Sequence, residues 1–74
     1  MTIQPGAFDS AFAACPDGKV ATGGGISLGL QTTWQIYDDR PPVAFPPTGW
    51  VVSAQNTGQT AADIKAWVVC ANPA

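Results

Sequence analysis

With 74 residues the chain has room for one small domain. Its large apolar side chains are 6 Val, 4 Ile, 2 Leu, 3 Phe, 3 Trp, 1 Tyr and 1 Met, a thin core for a size that usually needs a disulfide, a metal or a partner subunit. Lys19, Arg40 and Lys65 are the only cations against five Asp, for a net charge of −2, which excludes neutralising a nucleic-acid backbone; without His or Glu, most acid–base and metal chemistry has no residues to run on.

Gly and Pro, 8 and 7 in number, punctuate the chain at short intervals, and no stretch carries a helical period, so the expected class is all-β. Met1 to Gly6 has no positive n-region and no apolar h-region follows it. The chain therefore reads as starting at its own initiator methionine without an export signal. No segment approaches the roughly 20 apolar residues that span a bilayer, so no membrane is expected as a partner.

Residues 1–14 are expected to form an N-terminal arm or a first strand, and residues 15–74 a compact β-domain. Within the first part, residues 7–14 with Phe8 and Phe12 make the best strand, although their alanines also allow a helical turn. Pro16-Asp17-Gly18 is a tight turn with Gly where positive φ is tolerated. A second strand opens at residues 19–21 and runs through Gly23-Gly24-Gly25 into Ile26-Ser27-Leu28. Three glycines in a strand are entropically costly and mark a bulge or the close approach of another backbone. They do not make a phosphate loop, because Gly18-Lys19 is followed by Val20 and no Gly sits five residues before Gly18.

Thr33-Trp34-Gln35-Ile36-Tyr37 is a third strand, and residues 38–49 form a 12-residue connection stiffened by Pro41, Pro42, Pro46 and Pro47. A connection that long in so small a domain points to function or to an interface. The clearest strand is residues 50–56, where period two puts Trp50, Val52 and Ala54 on one face and Val51, Ser53 and Gln55 on the other. After the turn cluster Thr57-Gly58-Gln59-Thr60, residues 61–71 form a strand with Ile64, Ala66, Val68 and Cys70 on one face and Lys65, Trp67 and Val69 opposite. The two runs and their short turn read as a hairpin. Apolar residues on both faces of the last strand imply cover on both sides, more than a lone sheet of about five strands supplies. The expected architecture is a small antiparallel β-sandwich or sheet of that size, packed in a trimer.

Cys15 and Cys70 belong to no C-x-x-C pair, and no His is present to complete a zinc site. Two buried thiols are one reading; the small core favours a disulfide. Closing a loop of that length contributes about 4 kcal/mol by loop entropy. A disulfide without an export signal fits two origins: a trimmed secreted module, or a virion protein released by lysis and oxidised afterwards.

Asp38 and Asp39 are the only adjacent acids. Catalytic carboxylates face each other across a substrate at about 5–10 Å, whereas chain neighbours point apart, so this pair reads as a solvated turn. Ser and Thr have no His to act as base, and Lys19 and Lys65 lack the evident apolar pocket or cationic neighbour that activates a nucleophilic lysine. No enzyme activity and no cofactor are expected. Among the aromatics, Trp34, Tyr37 and Trp50 are candidates for sugar stacking. Interfaces enrich aromatics and Arg, and an intersubunit contact would use Trp34, Arg40, Pro41, Pro42 and Phe45.

The string Cys15-Pro16-Asp17-Gly18-Lys19, then Gly23-Gly24-Gly25, then Thr48 through Asn56 with its Gly49-Trp50-Val51-Val52 core, then Ala66-Trp67-Val68-Val69-Cys70-Ala71, resembles a small disulfide-linked β-module of actinobacterial exported proteins and their phages. The resemblance spans residues 15–71. It implies a compact antiparallel β-domain with Cys15 joined to Cys70, and it implies no activity. Here the module stands nearly alone after a 14-residue lead, which favours a free-standing virion component. The resulting expectation is a non-enzymatic phage structural protein of the capsid decoration (cement) type, at the virion surface or extracellular. Its expected partners are itself, as a homotrimer, and the major capsid protein or another virion protein, with residues 2–12 as an arm. The alternatives are a carbohydrate-binding module of a secreted or tail protein and a protease inhibitor whose reactive segment is the proline loop at 41–47.

Overall fold

A computed structural model describes residues 1–42 and 47–73. Its strands, in chain order, are β1 (Thr2–Ile3), β2 (Phe8–Ala14), β3 (Val20–Leu28), β4 (Trp34–Arg40), β5 (Gly49–Asn56) and β6 (Ala62–Ala71), with no helix among the described residues. They form two three-stranded antiparallel sheets, ordered β1-β6-β3 and β2-β5-β4. Ile3 and Ile64 of the first sheet pack with Val52 and Ala54 of the second in one buried cluster. The class is all-β as expected, and the strands among the described residues number six rather than about five.

The last two long strands do not form the expected hairpin. β5 is the middle strand of one sheet and β6 the middle strand of the other, so residues 57–61 arch between sheets. The reason lies in the inward residues of each strand. Val52 and Ala54 on β5, and Ala62 and Ile64 on β6, are all buried; side by side in one sheet their apolar faces would lie coplanar and wet, whereas facing each other they leave water. Asn56, fully buried at the end of β5, holds the arch. Its Nδ2 donates to the carbonyls of Ile3 at 3.0 Å and Thr60 at 2.9 Å. Its Oδ1 accepts from the Gly58 N–H at 3.0 Å and the Thr32 hydroxyl at 2.8 Å. Both donors and both acceptor positions of the amide are used.

Residues 1–14 supply a strand to each sheet rather than an arm. Ile3 is 2% exposed, and the Met1 ammonium donates to the Ile64 carbonyl at 3.1 Å. The Pro16-Asp17-Gly18 turn forms as read: Gly18 sits at φ 80° and the Lys19 N–H donates to the Pro16 carbonyl at 3.1 Å. Beyond it β3 runs unbroken through the glycine triplet, with a register shift between Ala21 and Gly23. The close approach there is made chiefly by rings. A Cβ on Gly24 would strike the Trp50 indole from inside the sandwich, and a Cβ on Gly25 would strike the Trp67 indole from outside. The triplet thus seats two tryptophans on opposite faces of one strand.

β4 extends to Arg40, so Asp38 and Asp39 lie on a strand and not in a solvated turn, and the connection to β5 shortens to residues 41–48. A register shift between Ile36 and Asp38 puts Tyr37 at a bulge. At this end of the sandwich Cys15 and Cys70 are joined, with Cα atoms 5.9 Å apart.

Candidate functional site

Strand alternation gives each sheet one face for the interior and one for solvent. On the sheet β2-β5-β4 the outward positions of β2 include Phe8 and Phe12, and the bulge turns Tyr37 of β4 to the same side. These three rings are 54%, 57% and 56% exposed. Tyr37 meets Phe8 edge-on, centroids 5.1 Å apart and planes at 74°, and its hydroxyl donates to Gln55 Oε1 at 3.3 Å. Phe12 lies over Gly49, whose Cβ position its ring occupies. Between the rings the Ser10 and Ser53 hydroxyls share a hydrogen bond of 2.7 Å. The far side of this face is polar: Arg40 Nε donates to Asp38 Oδ1 at 3.0 Å. That guanidinium contact, followed by the Ser53 hydroxyl, holds the Asp38 carboxyl below its ordinary value of 3.8.

The outer face of the other sheet carries Trp67, 47% exposed, and Val69, 52% exposed. The Trp67 ring lies against Gly25. Each outer sheet face thus presents aromatic surface to water, and the apolar outer side of β6 expected to be covered is open in the single chain.

The residues named for sugar stacking are not brought onto one surface. Trp34 and Trp50 are half-buried against the core. The Trp34 indole N–H donates to the Gly29 carbonyl at 2.8 Å and that of Trp50 to Asp39 Oδ1 at 2.7 Å. Tyr37 alone of the three stands on an outer face. Of the residues named for an interface, Trp34 is interior, Arg40 is exposed, and Pro41 and Pro42 are half-buried; Phe45 lies outside the described residues. So does most of the proline segment named as an inhibitory loop. Phe8 and Phe12 are the exposed rings that the sequence reading did not single out as site residues. The spacing of four between Phe8 and Phe12 was the available signal, since it places both on one side of a strand.

Asp38 and Asp39 are each spoken for, by Arg40 and by the Trp50 indole, and form no pair facing across a substrate. Among the described residues no group of three or more His, Cys, Asp or Glu is placed to hold a metal, and no pocket opens. What the geometry offers is flat apolar surface, which suits docking by burial. No family model, curated protein or solved structure matches the chain. The likeness to the actinobacterial module therefore rests on its motif alone.

Proposed function

We propose that this is a non-enzymatic assembly protein of a phage particle, a capsid decoration protein that binds the outside of the shell as an oligomer. One observation carries the reading: Phe8, Phe12 and Tyr37 form an exposed aromatic face on a domain whose fold is closed by its own disulfide. A disulfide is compatible with life outside a reducing cytoplasm, and a small, weakly charged chain with an apolar face acts by burying it on another protein. Binding then stabilises the docked state of the shell by mass action. The test is mass spectrometry and heat challenge of purified particles. The protein is expected in fixed stoichiometry on the shell, and particles lacking it are expected to rupture at lower temperature. Its absence from particles removes the decoration role.

A carbohydrate-binding role is the second reading, favoured by Trp67, whose ring lies against Gly25 on an open sheet face. Aromatic faces of this kind stack on apolar sugar surfaces. A glycan array followed by tryptophan-fluorescence titration separates the two readings. Saturable binding lost in Trp67→Ala supports the sugar role, and no binding across the array removes it.

A further inference from the structure

β2 is an outer strand of its sheet. Its odd-numbered residues turn their backbone groups to β5, as the ends of the ladder show: the Asn56 N–H donates to the Ala7 carbonyl at 2.9 Å and the Cys15 N–H to the Thr48 carbonyl at 2.8 Å. Antiparallel alternation then points the N–H and C=O groups of Phe8, Ser10, Phe12 and Ala14 away from the sheet. An open edge of this kind is a template for another strand unless something blunts it. β3 and β4 carry register shifts, and β1 has two residues. β2 pairs with β5 without interruption from Phe8 to Ala14 and contains no proline. Its one blunting device is Asp9, whose carboxylate accepts the edge-facing N–H of Ser10 at 2.8 Å.

Three of the four outward residues of β2, Phe8, Ser10 and Phe12, read the same in either direction. A two-fold axis through Ser10 sets Phe8 of one chain opposite Phe12 of the other and Ser10 opposite itself; the fourth, Ala14, falls beyond the end of the partner's strand, opposite the partner's Gly6. All three positions have edge-facing backbone groups, so each opposed pair is a hydrogen-bonded pair of an antiparallel ladder. Outward residues stay outward, as register demands. The self-complementarity is the property an isologous interface requires, and none of these side chains carries charge. We infer that the chain pairs with a second copy of itself, β2 against β2 in antiparallel register centred on Ser10, joining two three-stranded sheets into one of six strands. The aromatic row Tyr37–Phe8 of each chain then continues into the partner's Phe12. This is a two-fold dimer, distinct from the three-fold packing expected from the sequence, and it stands without the decoration role.

Sedimentation equilibrium on the full, oxidised chain tests it. The expected mass at high concentration is twice 7.6 kDa. Phe8→Lys with Phe12→Lys sets like charges opposite each other and is expected to weaken the dimer at least about tenfold, equivalent to about 1.4 kcal/mol. Phe8→Lys with Phe12→Glu sets each lysine opposite a glutamate and is expected to recover most of that loss. Both pairs change exposed side chains, so circular dichroism should match the parent. Asp9→Ala frees the Ser10 N–H and is expected to tighten the dimer. Ser10→Pro removes an N–H that β5 does not use and is expected to leave a folded monomer. A chain monomeric up to about 1 mM, a trimer, or a dimer indifferent to the two-lysine variant overturns the inference.

Discussion

The two ends of the sandwich are closed by different means. At the end of the 57–61 arch, Ile3 and Ile64 meet Val52 and Ala54, Ala62 is buried too, and Asn56 ties the arch, the N-terminal strand and residue 32 together through four hydrogen bonds. At the end of the Pro16–Lys19 turn the interior is Trp50 against Gly24, half-buried, with Ala13 and Val68 also half-buried, and the closure is the Cys15–Cys70 bond. A chain of this length has apolar residues for one dry end. The covalent link stands where burial is thin, which is the physical reason a small domain carries a disulfide at all.

Reduction is the strongest way to break this comparison. Cys15→Ala with Cys70→Ala, or reduction of the parent, is expected to cost about 4 kcal/mol, enough to unfold much of the population at 37 °C. Hydrogen exchange should rise first in residues 13–20 and 66–71. A reduced chain melting within a few degrees of the oxidised one, or fraying first at the arch, would reverse the assignment of the two ends.

Asn56→Leu attacks the other end. It strands the Ile3 and Thr60 carbonyls and the Gly58 N–H, at about 1–3 kcal/mol for each buried group left unpaired. A loss of about 3 kcal/mol in chemical denaturation is expected, with accelerated exchange at residues 2–3 and 57–61. A change below about 0.5 kcal/mol, the range of ordinary surface substitutions, would show that the amide is not what holds the arch.

The glycine triplet sharpens the contrast within one strand. Gly24→Ala drives a methyl into the Trp50 ring and is expected to cost about 1–3 kcal/mol. Gly23→Ala meets nothing within 4 Å and is expected to change stability by less than about 0.5 kcal/mol. Equal effects in thermal melts would remove the seating role given to Gly24.

The smallest effect belongs to Asp38, whose folded carboxyl lies below its ordinary value of 3.8 because Arg40, and then Ser53, favour the charged form. A group depressed in the folded state contributes stability that is complete above its unfolded pKa and lost as pH falls through the folded one. The contribution should therefore fade only below pH 3.8. NMR titration of Asp38 should show the pKa rising toward its ordinary value in Arg40→Ala, while the melting temperature at neutral pH barely moves, as for an exposed ion pair.

Much of the local structure was legible from residue order. Alternation sorted residues 50–56 and 61–71 into two faces each, and the thin core favoured linking the two cysteines. The hairpin was misread because alternation says which side chains seek cover but not which strand lies alongside; a five-residue link serves a hairpin or an arch equally well. Asn56 read as one more polar residue at a strand end, since nothing local marks a side chain whose four partners come from Ile3, Thr32, Gly58 and Thr60. The tryptophans were indistinguishable by type. Trp50 lies inside because its position on β5 faces the other sheet, whereas Trp67, paired beside Gly25 in the same sheet, falls on the outward alternation of β6.

Period-two alternation, turn residues and a shortage of large apolar side chains are local or compositional, so strand content and the want of a covalent tie follow directly from the order of residues. Which strands share a sheet, which rings face water and which edge stays open depend on pairing between residues distant in the chain. Those choices were made when Val52, Ala54 and Ile64 found more burial across two sheets than within one, and only the assembled structure records them.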